Sequence, residues 1–521
     1  MQSVTVSNSI SPEPIFIPQE RTDNPVSVPS VILAVLAGMV APALLAYLFA
    51  TTHEVLVFAI VLGLIALTLT LANPFLGLLV FVGLLYTRPE EVLEPLKGMH
   101  FSLIASVVTL AGTVLKMRMN GEKPIRTPLN AMIVGFGLVV VLSTLGQDNT
   151  NEAAQDIGKM VILVLLVLNL VRTPAKYKAF VSAILAFTCY LALYSIYQFF
   201  QGAGIQDHDV LRSQATGIFG DPNDLAATVL AGLALTLVRV KQSANAGRVG
   251  YIILAGVDIW GILLTNSRGG LLALMLVMGI ALLLFTRVKA VALVIAAVLG
   301  VGFMTFGPSR LSKLDSNEES ANSRFWFWAN GVDQLSEHPF FGVGYDQFPG
   351  VNGGMTAHNS FVLCFAELGF TGYFCWLGCL YYCFQRITPK TQAETRAGPK
   401  LSPGVAQSIK TLAYDSTRGK VLRRESWQIV KVRRDDPDFA DRMAARLALF
   451  GFLAACFWLS RTYVPVLYLL ISVPIAQQIS SHPTETDFLP SKSDRYRDWT
   501  RIALIAVTTV IFIGIIANKY K

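Results

Sequence analysis

Apolar runs long enough to cross a bilayer recur along this chain from Val31 almost to its C-terminus. A helix spanning the hydrocarbon core needs about 20 mostly apolar residues. The runs are unbroken over that length, whereas the strands of a membrane β-barrel alternate over about ten. Charged residues make up 15% of the chain and hydrophobic ones 53%, against roughly 25% charged in a soluble domain. The expected fold is all-α, a polytopic membrane helix bundle. Spans read at 31–52, 54–72, 74–87, 101–117, 127–146, 157–172, 176–200, 223–240, 249–266, 269–286, 288–306, 358–384, 443–461, 463–479 and 501–517. The third is short and reads as half of a hairpin, so the expected count is about 14–15.

Residues 1–29 carry Arg21 against Glu13, Glu20 and Asp23. With a full span following, no cleavable signal peptide is expected. Orientation follows from the short loops. Lys116, Arg118, Lys123 and Arg126 fall in one; Arg172, Lys176 and Lys178, then Arg239, Lys241 and Arg248, then Arg287 and Lys289 fall in others. Cationic short loops stay in the cytoplasm, so the net charge of +8 orients the protein and implies no nucleic acid. The alternate segments 201–222, 265–270 and 307–357 are expected outside. Cys189, Cys364, Cys375, Cys379, Cys383 and Cys456 all lie within apolar runs and read as packing residues, with no metal site among them.

The expected organisation has a disordered cytoplasmic tail at 1–29 and an N-terminal transmembrane bundle at 30–306. A large extracytoplasmic loop, the candidate functional segment, follows at 307–357, then a transmembrane helix at 358–385. A basic cytoplasmic loop at 386–442 and C-terminal transmembrane helices at 443–521 complete it. The basic loop holds Trp427 and the Ile429-Val430 pair, a candidate short strand or interfacial patch.

The chemistry-bearing candidates lie on the outer side. Segment 201–222 holds His208 and Arg212, and an outer arginine runs against the charge bias of its side. After Gly217-Ile218-Phe219-Gly220-Asp221-Pro222, Asn223 or Asp224 is expected to cap a helix beginning near Leu225. The tight turn Thr265-Asn266-Ser267-Arg268-Gly269-Gly270 pins Arg268 at the membrane surface. It either snorkels to headgroups or binds phosphate, aided by close-approaching glycines and a helix N-terminus. Arg324 precedes Phe325-Trp326-Phe327-Trp328, which reads as an interfacial amphipathic helix, and is either a headgroup anchor or a second phosphate ligand. His338 opens a His-Pro dipeptide before a Gly342-Val343-Gly344 turn. His358, with Asn359 beside it, follows a Gly-rich loop and opens a span, where an imidazole can serve as a base near neutral pH. Glu367 and Asp258 are intramembrane carboxylates, for which pairing with an arginine is the default expectation.

The stretches GIFGDPNDLA, LTNSRGGLLAL and NSRFWFW…SEHPFFGVGYDQF…AHNSFVLCFAELGFTG together resemble the O-antigen ligase/polymerase superfamily of bacterial membrane glycosyltransferases, over roughly residues 210–380. The resemblance implies a GT-C-like bundle in the bacterial inner (cytoplasmic) membrane, with its active site facing the periplasm. It implies transfer of a glycan from undecaprenyl diphosphate to an acceptor hydroxyl, on lipid A–core or a growing polysaccharide, with no metal or other cofactor and with inversion. By the same resemblance, His358 matches the essential loop histidine. Arg268 and Arg324 match the donor-diphosphate arginines, Arg212 loosely matches a further one, and Glu367 matches a recurrent acidic position. The motifs do not separate a ligase from a polymerase joining lipid-linked repeats. Solute transport and a non-catalytic role beside polysaccharide-export partners stand as more remote alternatives.

Overall fold

The computed structural model describes residues 67–92, 98–207, 210–285, 319–387 and 437–520, together with Gly63, Ile65 and Pro389. The expected tail at 1–29, the spans at 31–52 and 288–306, His208, and Trp427 with the Ile429-Val430 pair lie outside the described residues.

The described chain is all-α apart from one small hairpin. Its main helices are α1 (Pro74–Thr87), α2 (Phe101–Met119), α3 (Pro128–Ser143), α4 (Thr150–Leu170), α5 (Pro174–Phe200), α6 (Pro222–Gln242) and α7 (Asn245–Leu264). They continue with α8 (Arg268–Phe285), α9 (Glu319–Glu337), α10 (Ser360–Phe384), α11 (Pro437–Cys456), α12 (Pro465–Ser480) and α13 (Lys492–Ala517). Strands β1 (Ile205–Asp207) and β2 (Val210–Arg212) pair antiparallel. Seven helices, α2, α4, α5, α6, α7, α10 and α13, are long and apolar enough to cross a membrane, and α1, α3, α8 and α12 are shorter apolar helices.

Four helix starts share one local device. At Asn73-Pro74, Thr127-Pro128, Thr173-Pro174 and Asp221-Pro222 a polar residue caps the helix and proline takes its first position. Proline fits there because its missing N–H has no partner in a first turn and its φ is already helical. This moves the start of α6 ahead of expectation. Asp221 is the cap, accepting from the Asn223 N–H at 2.8 Å, so Asn223 and Asp224 stand inside the first turn with their side chains available for other partners.

Helices α6 and α12 lie innermost, with nearly every residue of α12 buried. Helices α2, α7 and α13 turn most of their apolar surface outward, as a lipid-covered rim requires. At one end of the bundle the basic loops knit together. Arg172 pairs with Glu122 at 3.4 Å and Arg239 with Asp441 at 3.7 Å, and Arg126 bridges to Asp487. Helix α11 already begins at Pro437, inside the stretch assigned to the 386–442 loop.

The opposite end gathers residues 143–150, 200–207, 210–222, 264–268, 357–360 and 457–464. Here α10 is broken at Gly369, whose φ of 62° and ψ of −168° no helix tolerates. The break frees backbone groups, and the turn at 339–344 takes them up. Phe370 N–H donates to Pro339 O at 2.7 Å, while Val343 and Gly344 N–H donate to the carbonyls of Ala366 and Glu367 at 3.0 and 2.9 Å. Two glycines make this approach possible. A Cβ on Gly342 would lie 2.2 Å from the Glu367 carbonyl carbon, and one on Gly369 would lie 2.4 Å from that of Phe340. Helix α9 therefore packs lengthwise on α10 instead of lying flat at an interface. Trp328 is buried, its indole N–H donating to Ala357 O at 3.0 Å and its ring packed on Phe457 and Trp458.

Candidate functional site

Three short segments, distant in sequence, meet through Asn223. The buried Arg212, at the end of β2, donates from Nε to Thr265 O at 3.1 Å and from its terminal nitrogen to Asn223 Oδ1 at 3.0 Å. Ser267 Oγ donates to the same Asn223 oxygen at 2.7 Å and accepts from the Gly270 N–H at 3.1 Å. The turn before α8 is thus fixed from both sides, and Arg268, half-buried, stands at the first position of that helix. Beneath this network Phe219 is fully buried against Tyr86, and a Cβ on Gly217 would strike the Glu91 carboxylate, which pairs with Arg88 at 2.7 Å.

A second network, absent from the expected site, centres on Arg461 between α11 and α12. Its guanidinium bonds Asp224 through Nε and Asp221 at 3.1 Å. Its backbone N–H donates to Ser360 Oγ at 2.8 Å, Ser360 Oγ donates to Leu459 O at 2.6 Å, and Thr462 Oγ1 donates to Ser360 O at 2.8 Å. The 459–462 loop is therefore strapped to the start of α10, while its arginine neutralises both aspartates of the 221–224 turn. The expected capping role of Asp224 is replaced by this ion pair.

His358 sits one residue before the α10 cap. Asn359 Oδ1 accepts from the Phe361 and Val362 N–H groups at 2.9 and 3.2 Å, and its buried Nδ2 has no hydrogen-bond partner. His358 itself has a φ of +50°. A non-glycine residue held in the left-handed region stores strain, and such strain gathers at functional positions. Burial pushes its imidazole below the ordinary value of 6.5, Arg324 and Arg461 push it further the same way, and Asp221 opposes them. At neutral pH the ring is therefore uncharged, with a lone pair able to take a proton.

The remaining candidates divide. Arg324 acts on His358 electrostatically and is half-buried on α9. His338 is exposed beyond the far end of that helix, about 21 Å from Arg324 by helical rise. No hydrogen bond among the described residues ties its side chain to the cluster. Glu367 is 1% exposed, accepts from the Phe348 N–H at 3.2 Å and faces the Tyr463 hydroxyl, with no arginine on it among the described residues. Asp258 is likewise buried without an arginine among the described residues, facing Thr236.

The helical bundle and this polar cluster at one of its ends define a multi-pass membrane protein with a cationic, histidine-containing site. Residues 250–377 match the family described as O-antigen ligase, which upholds the resemblance to the O-antigen ligase/polymerase superfamily. That family's function is glycosyltransferase-like and concerns lipid-linked polysaccharide substrates in a membrane. The match takes in Arg268, Arg324, His358 and Glu367, while Arg212 and Arg461 fall outside it. A comparison with curated proteins found no match.

Proposed function

We propose that this protein is an O-antigen ligase-type glycosyltransferase of the bacterial inner membrane. It transfers a glycan from undecaprenyl diphosphate to an acceptor hydroxyl, on lipid A–core or a growing polysaccharide, at the periplasmic face. The observation that carries the reading is the neutral, strained His358 set among Arg324, Arg461 and Asp221, one short network away from Arg212 and the Arg268 turn.

In this reading His358 accepts the proton of the acceptor hydroxyl. The oxygen attacks the anomeric carbon from the face opposite the diphosphate. The carbon–oxygen bond to the diphosphate breaks, its electron pair leaves with the lipid diphosphate, and the anomeric centre inverts. Negative charge grows on the leaving group, so donors already in place stabilise the transition state without reorganising. Arg268 and Arg324 supply them, arginine being suited to bidentate phosphate contact. Arg212 contributes a further cation and ties the donor turn to α6. Glu367 holds the 343–348 backbone, and no step needs a metal.

The test is transfer in membranes from a strain lacking the gene, complemented by wild type, His358→Ala or Arg268→Ala. Both variants should insert normally and leave lipid-linked glycan untransferred. Wild-type transfer by either variant would remove that residue from the mechanism.

A further inference from the structure

We infer that the 338–344 turn is a re-entrant membrane element, its Phe340-Phe341 tip covered by the acyl chains of the surrounding bilayer. Three contacts set the depth of this turn against α13. Tyr381 OH meets Asp498 at 2.9 Å, Tyr373 faces Thr509, and Val332 lies 3.9 Å from the Cβ direction of Gly514. Helices α10 and α13 thus run antiparallel in register, and the Gly369 break falls opposite the stretch around Phe512. Phe340, bonded through its carbonyl to Thr371, falls at the same level. From Arg501, in the charged first half of α13, to Phe512 is a rise of about 17 Å. The apolar core of a bilayer is about 30 Å thick, so the turn reaches well inside it.

What the turn exposes fits that depth. Phe340 is 71% exposed and Phe341 47%, and on the adjacent helix Ile511, Phe512 and Ile515 are also more than half exposed. These side chains are continuous with the outward face of a helix that reads as a membrane span. Non-helical backbone is tolerated at such depth only where protein satisfies it. Here the broken α10 does so, through the bonds from Phe370, Val343 and Gly344. Glu337 and His338 are exposed as well, and charge at this depth needs water, so the inference assigns them to a water-filled side of the turn and the two phenylalanines to lipid. The segment expected as a wholly external loop is then anchored from within the outer leaflet.

The experiment places p-benzoylphenylalanine at Phe340 or Phe341 of the full chain in native membranes, irradiates, and weighs the purified protein. The same probe at the outward Phe512 reports lipid contact, and at the exposed Asn151 of the polar 147–156 stretch it reports water. A gain of one phospholipid mass at 340 and 341, with a yield comparable to position 512, is the expected result. Adducts at 512 without adducts at 340 and 341, or crosslinks there only to protein, would overturn the inference.

Discussion

Removing the Arg461 guanidinium tests whether the second network is a structural unit. In Arg461→Met, Asp224 keeps its buried position, with its side chain 10% exposed, and loses its cation. Breaking a buried ion pair from one side costs about 3–5 kcal/mol because the other charge is stranded. Asp221, 38% exposed, is largely screened by solvent and adds at most about 1 kcal/mol. Since Arg461 itself is 26% exposed, the lower end applies, a loss of about 3 kcal/mol. Asp224→Asn leaves Arg461 its Asp221 contact and should cost about 1–2 kcal/mol. The double variant strands no charge in the buried position and should recover about 2 kcal/mol relative to the summed singles. Cys364, Cys379, Cys383 and Cys456 are free and buried, so a thiol-reactive dye reports heat unfolding in detergent directly. At the low end of the usual scale, 3 kcal/mol corresponds to about 6 °C. A double variant as unstable as the two single losses combined would refute the coupled triad.

The structure makes four further predictions. Because the folded His358 pKa is lowered, the fold favours the neutral ring. The acid limb of transfer should therefore lie below the ordinary imidazole range of about 6.5, with the rate falling as pH drops through it, and the linked stability should be lost in the same direction. Arg324→Gln removes a cation that pushes the imidazole down and should move the limb of the residual activity upward; an unmoved limb would separate Arg324 from His358. Gly342→Ala and Gly369→Ala should each lose about 1–3 kcal/mol from positive φ alone, and more from the close contacts, whereas Gly350→Ala, with nothing within 4 Å of its Cβ, serves as the neutral control in the same dye assay. Transfer should survive excess EDTA, and loss of activity restored by a divalent cation would count against metal-free transfer.

The membrane frame was legible in the sequence because a long apolar run has few alternatives in lipid. Most helix starts were legible to within a few residues, while α4, α11 and α13 begin well ahead of the expected spans because their first turns are polar, and the error at α6 is instructive. Asp221, Asn223 and Asp224 are all good caps, and Pro222 decides among them by fitting the first helical position. Arg461 could have been found from the same signal that singled out Arg212, a lone cation in a short loop on the side poor in cations. It was missed because it borders two apolar runs and lies beyond the family-like segment. The closure of the 339–344 turn on the α10 break was not legible. Gly342 and Gly369 are each ordinary in their local stretch, and only their mutual approach explains both.

The two aspartates of the 221–224 turn look out of place beside a site meant for an anionic leaving group. Among the named side chains at this end, four arginines, Arg212, Arg268, Arg324 and Arg461, stand against Asp221 and Asp224, a surplus of two positive charges. The division of labour matters more than the total. Arg461 is committed to the aspartates by direct bonds, and this satisfies the carboxylates before any phosphate arrives. With its Asp221 and Asp224 partners in place it still pushes the neighbouring imidazole down, behind burial and Arg324. A lysine at 461 would retain the charge but not the fork that reaches both carboxylates at once. Arg461→Lys should therefore keep the low acid limb of His358 while losing part of the thermal stability. Arg461→Met should lose the stability and move the limb upward, burial and Arg324 still lowering it, and a lysine variant matching wild type in the dye assay would show that charge alone, without the two-pronged contact, holds the 221–224 turn against α10.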